Sequence, residues 1–385
     1  MAVQSPSTAA SPGGRPAARP LGRRRDGRPP GGGIRGREAA AGWLFTAPAV
    51  LMIVVFLVVP IIMAGWVSVS DWSGIGNPFG GGAHYVGAQN YSALLTQAGL
   101  PREQLVQSLT NNLYYVLLVV PLQTILALFL AVVLNRRRLA GRGFFRTAYY
   151  FPSVTSTVAI SIVFLFMFSG SGVINTLLSD LGANGPTWFA DPNGLIHLLL
   201  GALGVHTPPA ALANHGLLGQ SWWAWLSGPS IAMTVIIILS IWTTSGTFML
   251  IFLAALQNVP AEIEEAAIMD GTNAWQRMRR ITLPMLRPTL FLVLTLGLIG
   301  CWQVFDQVYI MSQGNPSGTT LTPAYLSYVT SFGNQQWGQG AAISFLLFAI
   351  ILVLTLLQRF LLRDRDEVRT GGVRRLRFSG RAERS

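Results

Sequence analysis

The sequence predicts an all-α, polytopic membrane protein whose chain crosses the bilayer six times. Three observations support this class. Only 11% of the 385 residues are charged and 51% are apolar, whereas a soluble protein has about a quarter charged residues. Six segments reach the roughly 20 predominantly apolar residues that a spanning helix needs. The basic residues, finally, fall almost entirely on one side of the resulting topology.

The segment before the first span, residues 1–42, is rich in Pro, Gly, Ala and Arg and has almost no large apolar residue. Such a composition cannot bury enough apolar surface to fold, so we predict a disordered basic tail. It is not typical of a signal peptide, because the apolar run after it is too long and no small-residue cleavage site follows.

The six predicted spans come next along the chain. A seventh span is not predicted, since the apolar run 195–204 is too short. The nearby Trp222, Trp223 and Trp225 are typical of the headgroup level. Proline inside a span is tolerated where neighbouring helices satisfy the freed backbone groups. The spans cover about residues 43–70, 113–134, 147–168, 231–256, 289–311 and 341–362.

The arginines predict the orientation. All 27 basic residues are Arg, and Arg102 alone falls on the side opposite the other 26. Because basic residues near span ends stay cytoplasmic, both termini are predicted to be cytoplasmic. The arginines of that side lie in the tail 1–42, in the loops 135–146 and 257–287, and in residues 359–385, which include the basic tail 366–385. The external loops are then 71–112, 169–230 and 312–340.

Several kinds of site are excluded or disfavoured. The absence of Lys excludes a Walker A phosphate loop and a Schiff-base lysine. Cys301 is the one cysteine, so no intramolecular disulfide and no cysteine metal cluster can form. His206 and His215 could suggest a metal, but no carboxylate or cysteine joins them at ligand spacing, and we interpret them as exposed loop residues. We predict no metal site and no nucleic-acid partner.

The cytoplasmic loop 257–287 has the pattern of two short helices joined by a glycine. Asn258 and Pro260 suit the start of the first helix, and Gly271 permits a left-handed turn at its end. Asn273 can begin the second helix, and Pro284 precedes the next span. The acidic residues near the positive end of the first helix dipole are Glu262, Glu264 and Glu265.

This loop resembles the "EAA" loop of ABC importer permeases. That pattern is Glu-Ala-Ala, three residues, Gly, nine residues, Ile, one residue, Leu-Pro, and it is matched at every spacing. In that family the loop is the coupling helix that docks on a cytoplasmic ATPase subunit. The resemblance therefore implies a coupling role for Glu265, Ala266, Ala267, Asp270, Gly271, Ile281, Leu283 and Pro284.

The resemblance covers about residues 43–365. Residues 85–91, 135–146, 241–257 and 305–309 also look like segments of carbohydrate permeases, specifically the first permease subunit of maltose, multiple-sugar and glycerol-3-phosphate importers. It implies the type I importer permease fold and a bacterial cell-membrane location. It also implies a second homologous permease, two ABC ATPases that carry ATP and Mg, and an extracytoplasmic binding protein. No catalysis and no cofactor are expected in this chain.

Two external segments depart from the family pattern. The loop 169–230 is longer than expected by about thirty residues, and the segment 312–316 stands where a glycine-rich run is usual. Both departures concern contacts with the substrate and the binding protein, and they leave the coupling loop unchanged.

The predicted substrate pathway centres on Asp306, the one carboxylate inside a predicted span. An intramembrane charge indicates function by default, but Asp306 and Gln303 could equally hold helices together. Trp302 and Tyr309 lie within about a turn and suit a sugar. Asn112, near the start of the second span, is a further candidate whose simpler interpretation is a polar helix start.

Two other function classes fit the sequence less well. An ion-driven secondary transporter commonly has internal repeats and several buried ionisable residues, and the chain has neither feature. A membrane enzyme would need a clustered catalytic or zinc motif, and the external carboxylates are scattered. A passive permease subunit powered by separate ATPases fits best.

Overall fold

The structure is a computed structural model that describes residues 37–136, 139–205, 207, 209–213, 215–217 and 220–361. The tail 366–385, almost all of the tail 1–42, and His206 therefore lie outside the described residues. Contacts divide the chain at Pro60 into two compact units.

The described residues are mostly helical, with one small antiparallel hairpin. Three five-residue π-helical turns interrupt or join the helices, at Val54–Val58, Met278–Thr282 and Val329–Gly333. The strands are β1 (Gly216–Leu217) and β2 (Gln220–Ser221). The helices are α1 (Arg37–Ile53), α2 (Val59–Ser68), α3 (Gln89–Leu95), α4 (Leu100–Asn135), α5 (Arg142–Val154), α6 (Thr157–Met167), α7 (Val173–Asp180), α8 (Leu195–Ala202), α9 (Ala210–Ala213), α10 (Trp222–Trp225), α11 (Ile231–Gln257), α12 (Ala261–Met269), α13 (Ala274–Arg277), α14 (Leu283–Met285), α15 (Arg287–Trp302), α16 (Asp306–Met311), α17 (Pro323–Tyr328) and α18 (Trp337–Leu361).

Helix α1 begins at Arg37, six residues before the predicted start of the first span. Residues 39–41 are all alanine, the strongest helix former, which explains the earlier start. The π turn Val54–Val58 follows, and the amide of Val59 donates to the carbonyl of Val54. Pro60 has no amide hydrogen to continue the ordinary pattern, so a local change of hydrogen bonding at this point is expected.

Five helical segments of the described chain are long and apolar enough to cross a bilayer, and a sixth crossing is present if one bent pair counts as a span. This count agrees with the six predicted crossings. The short helix α8 is not among them. The five segments are Ala41–Ser68, Leu100–Asn135, Ile231–Gln257, Arg287–Met311 and Trp337–Leu361.

Helix α4 begins thirteen residues before the predicted second span and has 36 residues. At 1.5 Å per residue it is about 54 Å long, well beyond the roughly 30 Å hydrocarbon core. Its first turns therefore extend out of the membrane. There Asn111 donates to the carbonyls of Gly318 and Leu321 at 2.8 and 2.9 Å, which ties the helix to the segment before α17.

The predicted third span, 147–168, is not one straight helix. Helices α5 and α6 meet at 95°. Thr155 and Ser156 are both extended between them, with ψ of 146° and 126°. Thr155 donates its hydroxyl to the carbonyl of Phe151, and Ser and Thr side chains compete with helical hydrogen bonding in this way. Because most residues of the segment are apolar, the sequence does not indicate this polar break.

The predicted fifth span, 289–311, is also interrupted. Helix α15 ends at Trp302, and α16 begins at Asp306 after a short non-helical stretch. The hydroxyl of Thr322 donates to the carbonyl of Val304 at 3.1 Å, which satisfies one backbone group in the break. Non-helical backbone at membrane depth is tolerated where it is buried in protein or lines a cavity.

The centre of the larger unit is α11. More than half of its most apolar stretch is buried, 56% against 28% for Arg287–Met311 and for Trp337–Leu361. It packs mainly against α4, with α5 and α15 beside it. The described residues between α6 and α11 form helices α7 to α10 and the hairpin, and backbone pairing between Gly194 and Ser230 brings two parts of this segment together.

Candidate functional site

A cavity of about 240 Å³ lies at the break between α15 and α16. Its walls come from α4, α11, the last turns of α15, the break and the first turn of α16. The lining of the cavity contains many polar groups, and its apolar part includes Val119, Phe248 and Phe305. The polar side chains that line it are Tyr115, Gln123, Ser240, Thr244, Gln303, Asp306 and Gln307.

Two of the five predicted pathway residues, Gln303 and Asp306, line this cavity. The other three do not. Trp302 is buried in the core and its indole nitrogen has no hydrogen-bond partner among the described residues. Asn112 is fully buried, and its amide nitrogen and oxygen likewise have no partner there. Tyr309 belongs to an aromatic cluster beside the cavity.

Asp306 is the first residue of α16. Its side chain is exposed in the isolated chain, and no basic group of the described residues lies within ion-pair distance of it. A carboxylate in this position is favoured by the unpaired amides of the first helical turn. The carboxylate is therefore available to a ligand in the cavity.

The opposite wall carries polar groups that sequence reasoning did not single out. Tyr115 donates to the hydroxyl of Ser240 at 2.6 Å. Thr244 donates to the amide oxygen of Gln123 at 2.5 Å. These bonds join α4 to α11 and fix the side chains at the cavity wall. Gln123 could have been found as an amide within a predicted span, whereas Gln303 was identified by its closeness to Asp306 in the sequence.

One residue of the cavity wall, Gly297, has no room for a side chain because the amide of Gln123 lies close to it. A Cβ atom at Gly297 would lie 2.6 Å from the amide nitrogen of Gln123, whereas a Cβ at Gly300, which also lines the cavity, would meet nothing within 4 Å. Gly297 therefore lets the Gln123 amide lie against α15, and Gly300 leaves open space.

Phe305 forms one end of the cavity, and other aromatic side chains lie around it. Its ring stacks on Tyr309 with centroids 5.5 Å apart and meets Tyr328 edge-on at 5.3 Å. Tyr325 lies beside both tyrosines. Burial raises the pKa of Tyr325, and a hydrogen bond with Tyr309 raises the pKa of Tyr328. These phenols remain neutral near pH 7 and keep a hydroxyl beside an apolar ring face.

The second candidate site is the loop between α11 and α15. Helix α12 starts after Pro260, with Glu262 and Glu264 in its first turn. Gly271 follows it with a φ of +74°, the left-handed conformation that glycine adopts without strain. Asn273 then starts α13 with a complete capping box, in which its side chain accepts from the amide of Gln276 at 2.8 Å.

The predicted coupling residues extend along this whole loop. Glu265, Ala266 and Asp270 are exposed on and just after α12, and Ala267 is buried. Ile281 lies in the π turn Met278–Thr282, and Leu283 and Pro284 form α14. Pro284 stands in the first turn of that helix, where its missing amide hydrogen has no cost.

Large apolar side chains on this loop point away from the protein. Met269 is 87% exposed, Trp275 is 70% exposed and Ile268 is 54% exposed. The loop lies outside the candidate spans. Clustered exposed apolar side chains on a polar segment mark a surface for another protein. We call these three side chains the apolar surface of the loop.

Comparison with known proteins gives consistent relatives. Residues 101–366 match the family described as binding-protein-dependent transport system inner membrane component. The lactose transport system permease protein LacF of Rhizobium radiobacter is 32% identical over 84% of this chain and 94% of its own length. The arabinooligosaccharides transport system permease protein AraP of Bacillus subtilis (strain 168) is 30% identical over 83% of this chain and 88% of its own length.

Solved structures agree with the fold. A chain of a bacterial ABC transporter involved in the import of the acidic polysaccharide alginate superposes with a TM-score of 0.64 and 20% sequence identity, over 85% of this chain and 97% of that chain. A second structure of the alginate transporter, in complex with an alginate pentasaccharide-bound periplasmic protein, gives a TM-score of 0.61. The predicted importer permease fold is confirmed.

Proposed function

Because this chain belongs to the family of binding-protein-dependent transport system inner membrane components, we propose that it is the carbohydrate-translocating permease subunit of an ATP-binding-cassette importer. Its substrate is a sugar or oligosaccharide delivered by an extracytoplasmic binding protein. Energy comes from ATP hydrolysis on separate subunits. Membership of a binding-protein-dependent family argues against an ion-driven secondary transporter.

A carbohydrate suits the chemistry of the cavity. A sugar has hydroxyl groups that need hydrogen-bond partners and C–H faces that pack on aromatic rings. The cavity supplies the amides of Gln123 and Gln303 and the carboxylate of Asp306, with Phe305 at its wall. Apolar and aromatic walls with a few placed polar groups are typical of small-molecule sites. The names of relatives, lactose and arabinooligosaccharide permeases, point to the same substrate class.

The coupling role is carried by one observation, the apolar surface of the loop. Ile268, Met269 and Trp275 are exposed on both sides of the turn at Gly271. A buried aromatic anchor surrounded by apolar contacts commonly dominates the free energy of protein association. The partner that we propose for this surface is the ATPase subunit, which holds ATP and Mg. The capping box of α13 keeps the surface ordered before the partner binds.

The remaining proposed partners follow from what a complete transport pathway requires. The chain lines only one side of a pathway, and we propose that a second homologous permease completes it as a heterodimer. Two ATPases then bind, one to each permease. Closure of the ATPases moves the loops and opens the cavity outward, and their opening returns it inward. Such a switch requires that ATP bind the two conformations with different affinities.

We place the protein in the bacterial cell membrane with both termini in the cytoplasm. The support is the distribution of arginine, since all but one of the 27 basic residues lie on the side of the coupling loop. Accessibility of single cysteines to an impermeant thiol reagent tests this orientation. A cysteine at Arg279 should react only after the membrane is opened, whereas one at Asp180 should react in intact cells.

The proposed function is tested by purifying the tagged chain in mild detergent and identifying its partners. We expect a second permease and an ABC ATPase to co-purify. In proteoliposomes with the binding protein, uptake of the bound sugar should require ATP inside the vesicle. Uptake that persists without ATP and stops when an ion gradient is collapsed would contradict the proposal.

A further inference from the structure

A second cavity, of about 560 Å³, lies where several helices end on the side of the coupling loop. Asn135 and Gln257, the last residues of the spans Leu100–Asn135 and Ile231–Gln257, both line it. The cavity therefore lies at the level where the spans leave the membrane. It shares no residue with the cavity at the helix break.

The charges that line this cavity are unbalanced. Arg136, Arg142 and Arg277 supply three guanidinium groups, and Glu264 supplies one carboxylate. No carboxylate of the described residues lies within ion-pair distance of these arginines. Like charges gathered in one cavity repel one another, so a bound anion would stabilise the arrangement.

Two of these arginines are held in place by backbone contacts. The Nε of Arg142 donates to the carbonyl of Leu134 at 2.9 Å, and an Nη1 of Arg277 donates to the carbonyl of Thr272 at 2.7 Å. Each guanidinium has five N–H donors, so each keeps several for a ligand. Planar guanidinium groups with fixed positions are suited to phosphate oxygens.

We propose that this cavity binds the phosphate of an anionic phospholipid headgroup from the leaflet on the side of the coupling loop. The apolar part of the lining fits a lipid better than a free ion, because Val132, Leu256, Val259 and Met278 can contact the glycerol and first methylene groups. Basic pockets between spans on the cytoplasmic side are known to take such headgroups.

The positions of the three arginines mean that a bound lipid would link two parts of the chain. Arg136 directly follows α4 and Arg142 begins α5, whereas Arg277 ends α13 in the coupling loop. One phosphate shared among them would connect the two segments and restrain the loop. This effect on transport rests on the proposed function, but binding of the lipid does not.

Lipid binding is tested on the purified full-length chain without its partners. The detergent-solubilised protein is offered phosphatidylglycerol or phosphatidylcholine, and retained lipid is counted by native mass spectrometry. The test variant is R136Q/R277Q. The control is R279Q/R280Q, which removes the same amount of charge at two exposed residues of the coupling loop that do not line the cavity.

We expect the wild-type chain and the control to retain phosphatidylglycerol in preference to phosphatidylcholine. At about 1 kcal/mol for each arginine, R136Q/R277Q should bind phosphatidylglycerol roughly thirtyfold more weakly. R136Q alone should weaken binding about fivefold. The Arg136 side chain is exposed and makes no hydrogen bond to a described residue, so this variant should fold normally.

Three results would overturn the proposal. Equal losses in R136Q/R277Q and R279Q/R280Q would indicate general surface attraction. Displacement of phosphatidylglycerol by millimolar inorganic phosphate would assign the cavity to a free anion. Loss of ATPase binding by R136Q/R277Q, with its retention of phosphatidylglycerol unchanged, would assign the arginines to an acidic segment of that partner.

Discussion

The coupling loop and the break between α15 and α16 both interrupt helices. In each, the polarity of the side chains does not match the surroundings, but the loop has apolar side chains in a polar setting and the break has polar side chains in an apolar one. In the loop, Met269 and Trp275 are apolar side chains exposed outside the candidate spans. At the break, Gln303 and Asp306 are polar side chains inside the candidate span Arg287–Met311.

Each reversal is unfavourable for the isolated chain. Exposed apolar area is stabilised when a protein covers it, and an intramembrane carboxylate is stabilised when a polar group or ligand meets it. The comparison therefore indicates two kinds of partner, a protein at the loop and a polar solute at the break. If it is correct, changes in the loop should affect assembly, and changes at the break should affect uptake alone.

The largest effect is expected from Gly271→Pro. Gly271 has a φ of +74°, and its amide donates to the carbonyl of Ile268 at 3.0 Å. Proline has a φ near −65° and no amide hydrogen, so the native turn should be disfavoured by about 3 kcal/mol or more. We expect co-purification of the ATPase and ATP-dependent uptake both to be lost.

The matched control is Gly76→Pro, at a glycine outside the coupling loop that has a φ of +78° and open space around it. It places similar strain far from the loop and should leave ATPase binding unchanged. Substrate-stimulated activity of an ATPase that co-purifies with Gly271→Pro would contradict the coupling role of the turn.

The next largest effect is expected from Trp275→Ala, which truncates the aromatic side chain of the apolar surface. Loss of such an anchor costs about 2 kcal/mol, or roughly thirtyfold in affinity. The dissociation constant of the ATPase subunit should rise accordingly, while the folded permease elutes normally from a sizing column. Ile75→Ala, at a residue that is 78% exposed in an external loop, should leave this constant unchanged.

At the break, Asp306→Ala should reduce uptake about tenfold, the effect of losing one hydrogen bond to a charged group. Assembly with the ATPase should not change. The measurement also separates the two interpretations of Asp306. A substrate contact predicts a raised KM for uptake, whereas a packing role predicts a lowered melting temperature. Asp180→Ala, at the end of α7, is the external control.

A smaller effect is expected at the cavity wall from Gly297→Ala. The added methyl group would meet the amide of Gln123 at 2.6 Å and displace it from Thr244. Such overpacking costs about 1 kcal/mol or slightly more, and uptake should fall about fivefold. Gly300→Ala adds the same group to the same cavity where nothing lies within 4 Å. Equal uptake by the two variants would show that the position of Gln123 does not matter.

The same contrast explains what the sequence could predict. The coupling loop was predicted closely, including the start at Pro260, the left-handed Gly271 and the cap at Asn273. These features depend on residues that are neighbours in the chain, since caps and turns form within one or two helical turns.

The cavity was predicted only in part, because it depends on contacts between distant residues. Gln123 is fixed by Thr244, and the break at Val304 is supported by Thr322. No proline or glycine lies between Trp302 and Asp306 to mark the break. The 95° bend after Val154 was missed for a similar reason, since its apolar residues have the composition of an unbroken span.

The smallest effect is expected from Asn273→Ala, which tests whether local order in the loop matters apart from its contact surface. The side chain of Asn273 accepts from the amide of Gln276, and that residue's side chain bonds back to the amide of Asn273. Loss of such a cap costs about 1 kcal/mol. Because α13 has only four residues, part of this cost should appear as weaker ATPase binding, by up to about fivefold.

Ser221→Ala is the control for Asn273→Ala, because Ser221 caps the equally short external helix α10 through the amide of Ala224. It should leave ATPase binding unchanged. Asn273 lies two residues from Gly271 but does not determine the direction of the chain. Asn273→Ala should therefore weaken ATPase binding far less than Gly271→Pro. A loss of assembly in Asn273→Ala as complete as in Gly271→Pro would mean that the order of α13, rather than the turn and the apolar surface, controls docking.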